Sequence, residues 1–370
     1  MGIGLFGNKR RVKPIFVGSY GNDLTRGMYA FHLDTDNGEI LKKKFYKSPA
    51  NPTCIYKRER FMYVCYKNST GRNTDGGLCQ YAAMELQFGL AAKATYKGRT
   101  YMSCFVNENR TYAYAVDYYN SEVVVIPILK QKIIKMTQVI QLTGSSVVPV
   151  RQEQPHPHFI DETPDHQRIF VCDLGTDEVI VYKIVDKGQL EKDEDNSFKM
   201  NPGSGPKKMI FSPNGKFAYV LNELSNTVCV YRYEDCHFTF IQEIDTFPKN
   251  EFAELSLAGD IVISETGEYL FASNRGHDSV AVYTANVETG ELTYHEFVDT
   301  DENPRAMILV NDRWLIVASQ KGGTLESYEL RKDQSKGILF ETNYSYMVGE
   351  PVCLIEGRAL LYEPEKKDEE

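Results

Sequence analysis

The sequence predicts an all-β fold: a seven-bladed propeller with four antiparallel strands per blade. Three observations point there. First, one short pattern of an apolar or aromatic pair, a small residue and a polar end occurs seven times. Its copies begin at Phe16, Tyr63, Tyr114, Phe170, Tyr219, Phe271 and Ile316, and measured at the second residue they are 47, 51, 56, 49, 52 and 45 residues apart. Second, each period holds several short β-rich segments separated by turn residues. Third, no segment sustains apolar residues at i, i+3, i+4 and i+7, so helix is minor. A period near fifty made of strands belongs to a radial β array, in which no unit can bury its own apolar face.

Within a period the elements follow in a fixed order. An apolar stretch such as Lys208-Met209-Ile210-Phe211-Ser212 comes first, then the turn Pro213-Asn214-Gly215-Lys216, then the repeated segment. A β-branched run follows, as in Val228-Cys229-Val230-Tyr231 or Val280-Ala281-Val282-Tyr283. A glycine turn and a more polar strand, Thr289-Gly290-Glu291-Leu292-Thr293-Tyr294, close the unit. The first copy has no preceding strand of its own, and Pro351-Val352-Cys353-Leu354 supplies one from the other end of the chain. The two termini are thus expected to share a blade and close the ring. Ala359 to Tyr362 reads as one further strand without an assigned neighbour.

The boundaries expected from this are a flexible extension over 1–13, one propeller over 14–362 and a charged tail over 363–370. Length alone would suggest two or three domains, but a continuous repeat makes one. Met1 to Lys13 lacks the order of a secretory signal, since its charges follow the apolar stretch, and no run of eighteen apolar residues exists. Eight cysteines scattered singly through strands, with no CxxC pair, read as small buried hydrophobes of a cytoplasmic protein. The net charge of −9 disfavours nucleic acid and anionic membrane surfaces as partners. No obligate protein partner and no cofactor are expected.

Antiparallel geometry sorts the candidate site. Residues just before the first strand and just after the second lie at one end of a blade, and seven such ends converge on one mouth of the central channel. A proline recurs before the first strand, and the residue after it is Thr53, His158, Lys207, Arg305 and Val352 in five blades. After the second strand come Lys67, Tyr118, Leu174, Glu223, Arg275 and Gln320. His158, Lys207, Lys208, Arg275 and Arg305 then share one face with a single carboxylate, Glu223. Several cations, one acid and one imidazole suit an anionic small-molecule substrate and proton transfer. Polar neighbours of these positions, His156, Asn222, Asn274 and His277, are the further candidate substrate contacts.

Other chemistries lack support. His156-Pro157-His158 offers two imidazoles on one strand face but no third ligand at suitable spacing, so no metal is expected. There is no G-x-S-x-G elbow for a nucleophilic serine. Gly203-Ser204-Gly205-Pro206 precedes a strand and not a helix, so it is a tight turn rather than a phosphate loop. The stretch from Asn68 to Gly77 reads as a longer loop over the same mouth.

Several long motifs carry a resemblance. Gln152-Glu153-Gln154-Pro155-His156-Pro157-His158, Asp173-Leu174-Gly175-Thr176-Asp177, Pro202-Gly203-Ser204-Gly205-Pro206, the run Ser212 to Leu224 and Ser273-Asn274-Arg275-Gly276-His277-Asp278-Ser279 occur in order. In these the chain resembles the bacterial lactonase family of seven-bladed propellers. That family includes 6-phosphogluconolactonases of the cycloisomerase-2 type and is similar to the fungal carboxymuconate cyclase. The resemblance implies hydrolysis of a sugar-acid lactone, typically 6-phospho-glucono-1,5-lactone of the pentose phosphate pathway, without a metal. It also implies an active site at His158, Lys207, Glu223 and Arg275. The chain departs from the family pattern at Lys207-Lys208, where Arg-His is usual, at Tyr101-Met102-Ser103, and at Val262 in Asp260-Ile261-Val262-Ile263. Lysine keeps the charge of arginine but not its bidentate fork.

Three functions fit at this stage. In a lactone hydrolase, Lys207, Lys208, Arg275 and Arg305 hold the anion, His158 polarised by Glu223 is the base, and Arg275 stabilises the oxyanion. A lactonising cyclase acting on an unsaturated acid needs the same cations. A non-catalytic scaffold needs none of them, and would show exposed aromatics on its rim instead.

Overall fold

The computed structural model describes residues 10–69, 74–84, 86–130, 132–247, 256–332, 337–358 and 360–362. They form seven antiparallel sheets and, among the described residues, no α-helix. Each repeated segment named above is the second strand of its sheet. The fifth blade shows the unit plainly: Pro206–Phe211, Phe217–Asn222, Thr227–Glu234 and His237–Asp245, each paired with the next. In the third and fourth blades the outermost strand is broken into two short pieces, Lys132–Ile133 with Gln138–Gln141 and Leu190–Lys192 with Phe198–Lys199. Those pieces lie at the rim, where little apolar surface is left to bury.

Blade one is built from both chain ends. Pro351–Glu356 pairs with Arg10–Ser19, with Phe16 opposite Ile355 and Gly18 opposite Cys353. The strand without an assigned neighbour, Leu360–Tyr362, pairs with Arg10, Arg11 and Val12. Arg10, Arg11 and Val12, within the stretch expected to be a flexible extension, are thus strand residues with a strand to pair with. Lys13 adds an ion pair to Glu356 at 2.7 Å. Residues 1–9 and 363–370 lie outside the described residues.

The core is distributed between blades. Seven apolar clusters each bridge two neighbouring sheets, such as Tyr219, Leu221 and Val230 of the fifth blade with Ala272, Ala281 and Tyr283 of the sixth. The seam between blades seven and one holds Trp314, Ile316 and Leu325 against Val17, Tyr29 and Phe31. There Trp314 Nε1 donates to the Thr35 carbonyl at 2.9 Å. The second strands are buried on both faces, which is why they read as continuous apolar runs.

One irregularity recurs in every blade and positions the site. At the start of each inner strand the register slips against the second strand. The skipped residue is Val352, Thr53, Met102, His158, Lys207 and Arg305 in six blades, and Gly259 with Asp260 in the sixth. A β-bulge leaves one residue unpaired and re-aims its side chain. The preceding proline fits because a first strand residue need not donate to the ladder. The Pro-X doublets of the sequence are therefore bulges directed at the channel mouth.

The closing seam leaves little room: a Cβ on Gly18 would meet Cys353 Sγ at 2.6 Å and Pro52 Cγ at 2.8 Å. Gly18→Val is expected to lower unfolding free energy by about 1–3 kcal/mol, the usual cost of overpacking. Urea denaturation measures it, and an unchanged midpoint would contradict the tightness of this seam.

Candidate active site

Glu223 lies just past the second strand of blade five and is nearly inaccessible to solvent. Its backbone is fixed on both sides: its N–H donates to the Gly205 carbonyl at 2.7 Å and its carbonyl accepts from Ala258 N–H at 3.2 Å. Three cations converge on the carboxylate. Lys207 Nζ and Arg275 Nη2 each approach Oε2 to 2.7 Å, and Arg151 Nη2 binds Oε1. Burial alone would raise the pKa of Glu223, but Arg275, Lys207, His158 and Arg151 together hold it well below the usual carboxylate range.

One carboxylate cannot compensate three cations. Burial lowers the Lys207 ammonium to about 7, assisted by Arg275 and Arg305 and opposed by Glu223. Burial likewise lowers Arg275, which also donates to the Ala258 carbonyl at 3.2 Å. Burial, and then Lys207, hold the His158 imidazole well below its usual range, with Glu223 pulling the other way. His158 is therefore a neutral ring at neutral pH. The expected pairing of Glu223 with His158 takes a different form: the two interact electrostatically, while the carboxylate oxygens are occupied by Arg151, Lys207 and Arg275.

His158, Glu223, Arg275, Arg305, Arg151 and His156 face a common cavity of about 410 Å³. Tyr118 forms part of its wall, with its ring stacked on His156 at 4.3 Å and edge-on to His158 at 5.8 Å. His156 Nδ1 lies 2.9 Å from the Tyr118 carbonyl, which selects the tautomer protonated at Nδ1 in the neutral ring. Arg305 holds its place by donating to Gln320 Oε1 at 2.8 Å. Among the described residues, no group of three His, Cys, Asp or Glu side chains is placed to hold a metal ion.

Four expected residues are elsewhere. Lys208 follows the bulged Lys207, regains the ladder opposite Leu221 and is taken up by an ion pair to Asp260 Oδ1 at 2.6 Å. Asn222 and Asn274 end their second strands with buried side chains that secure the next turn. Asn222 Nδ2 donates to Thr227 Oγ1 at 3.0 Å, and Asn274 Nδ2 donates to the Thr246 carbonyl at 2.8 Å. His277 sits in the following turn, 2.7 Å from Ser279 Oγ and stacked on Phe247. Val262 packs against the apolar cluster between blades six and seven. Of the loop from Asn68 to Gly77, residues 70–73 lie outside the described residues.

Arg151 has no sequence signal of its own, because it arrives on the connection between blades three and four. That connection is pinned by Gln152, whose Nε2 donates to the Leu174 carbonyl at 2.8 Å and to Asp177 Oδ1 at 2.7 Å. Asp177 also accepts from Gly203 N–H and Gly205 N–H at 2.8 and 2.6 Å. The Gly203–Gly205 turn and the Arg151 loop thus hang from one buried carboxylate. Gly205 has φ +65° and a Cβ there would meet Leu224 Cγ at 2.5 Å, so glycine is required.

A closed seven-bladed ring with a cationic mouth around an imidazole defines a class, and comparison with known proteins agrees. The chain belongs to the lactonase family of seven-bladed β-propellers, whose model matches residues 14–356. The 6-phosphogluconolactonase of Bacillus subtilis is 29% identical over 350 residues, covering 92% of this chain and 97% of that protein. A Bacteroides fragilis structure, provisionally described as a 6-phosphogluconolactonase, superposes with a TM-score of 0.85 at 28% identity, covering 94% of this chain and 98% of that one. The periplasmic gluconolactonase of Pseudomonas aeruginosa shares the fold, with a TM-score of 0.86 at 24% identity over 95% of this chain and 100% of that one.

The excess of positive charge has a measurable consequence. Glu223→Gln leaves the buried Lys207 and the partly buried Arg275 and Arg151 without their anion and is expected to cost about 3–5 kcal/mol of stability. Lys207→Met is expected to cost far less, because Glu223 keeps Arg151 and Arg275. Urea unfolding at pH 7 compares them, and equal losses would contradict the imbalance.

Proposed function

We propose that the protein hydrolyses 6-phospho-glucono-1,5-lactone to 6-phosphogluconate. One observation carries this reading. A neutral imidazole and a guanidinium fixed by a buried carboxylate share a cationic cavity in a protein whose net charge is −9. The B. subtilis relative bears the name of this activity. The eight cysteines, all free thiols, suit a reducing compartment such as the cytosol.

In this reading His158 accepts a proton from water as the water oxygen adds to the lactone carbonyl. The oxyanion that forms faces Arg275, a donor whose position is set by Glu223 before substrate arrives. Collapse of the adduct breaks the bond to the ring oxygen, which takes the proton back from the His158 imidazolium. The new carboxylic acid then releases its proton to solvent. Glu223 is too strongly held by cations to be a useful base, so its role is to orient Arg275 and Arg151 and to keep Lys207 in place.

Assay of 6-phospho-glucono-lactone hydrolysis, corrected for spontaneous opening, tests the proposal. His158→Gln is expected to lower kcat/KM by about 10²–10⁴-fold, the usual worth of a positioned base. The base acts when deprotonated and its pKa is lowered. Activity should therefore persist through pH 6.5, fall only at more acidic pH, and lose that acid limb in His158→Gln. A rate equal to the spontaneous one at every pH would rule the reaction out.

A further inference from the structure

The cations at this mouth differ in what they are paired with. Arg151, Lys207 and Arg275 are committed to Glu223, and Lys208 to Asp260. Among the described residues, Arg305 donates only to the neutral amide of Gln320. Lys67 ends the second strand of blade two, is almost fully buried, and has no carboxylate partner among the described residues. Both lie over one ring: Lys67 Nζ is 4.6 Å, and Arg305 Cζ 5.6 Å, from the centroid of Tyr20. The two charges can therefore be separated by no more than the sum of those distances. The Tyr20 hydroxyl is itself buried and has no hydrogen-bond partner. A buried ammonium and a half-buried guanidinium beside an unsatisfied hydroxyl are costly unless an anion completes the set.

We propose that Lys67, Arg305 and Tyr20 form the subsite for the phosphate ester of the substrate, joined through Arg305 to the place of the reacting carbonyl at His158 and Arg275. This rests on the reading of the site as one that takes a phosphorylated sugar lactone. Arg305 joins the two halves, since it lines the same cavity as His158, Glu223 and Arg275. A phosphate dianion offers acceptors to the guanidinium, the ammonium and the phenol together, and the lactone end then meets Arg275. The ring of Tyr20 holds the two cations by cation–π attraction before the anion arrives, so little ordering remains to be done on binding. Such a subsite predicts a preference for phosphorylated over plain sugar acids that rests on particular side chains.

Calorimetric titration with 6-phosphogluconate and with gluconate tests the subsite separately from turnover. The wild-type protein is expected to prefer the phosphorylated acid. In Lys67→Met and in Arg305→Gln that preference should fall by about 10- to 100-fold each, the worth of a charge-assisted hydrogen bond. Tyr20→Phe should lose less, and Arg305→Lys should recover part of the loss. Circular dichroism and the unfolding midpoint confirm that each variant is folded, with the equally uncharged Lys67→Gln standing in if Lys67→Met is not. Preference retained in both charge-removing variants would overturn the subsite even if the wild type hydrolyses the phosphorylated lactone. Selective binding that both variants abolish, in a protein with no lactonase activity, would uphold the subsite and refute the reaction. No preference in the wild type would overturn the subsite outright.

Discussion

A blade of four short strands cannot bury both of its faces, and everything else in this molecule depends on that constraint. Each sheet finds cover only against its neighbours, so seven apolar seams run between blades and no single centre exists. Seams without a terminal cap require a ring. Closing that ring brings seven inner strands to one axis, and a bulge at the start of each turns one side chain into the mouth. The site is thus a by-product of symmetry to which only a few residue choices were added.

Those choices concentrate positive charge where the fold has already excluded water. Glu223 alone would be a costly buried acid and Arg275 a costly buried base. Together with Lys207 and Arg151 they make a fixed array that need not reorganise during reaction. The surplus of cations keeps His158 uncharged, so the imidazole remains an acceptor in a field that attracts anions. An acidic protein with a cationic cavity repels anions from most of its surface and accepts them at one place.

The sequence displayed the blades clearly because their second strands are buried on both faces and so read as apolar runs. The Pro-X doublets were equally visible, since a bulge after a proline has a local signature. The partner of Lys208, Asp260, has no local signature, because their ion pair joins two blades fifty residues apart. Asn222 and Asn274 were misplaced because only the second residue of each polar pair, Glu223 and Arg275, faces the channel. Arg151 was invisible, since hydrogen bonds from Gln152 and Asp177 bring it in, and these span blades. Lys67 was placed at the mouth, but its significance depends on a census of ion pairs that only three dimensions provide.

The closing strand has a temporal meaning as well. Blade one acquires its inner strand, Pro351–Glu356, some three hundred residues after Tyr20 and Lys67 have been made. During synthesis, Tyr20 and Lys67 exist long before Arg305 can be brought over the same ring. Blades can accumulate one after another, yet the first must wait with an open edge until Pro351–Glu356 has been made. The ring therefore closes only when that strand arrives, and a chain cut short of Pro351 would hold six complete sheets and one open edge.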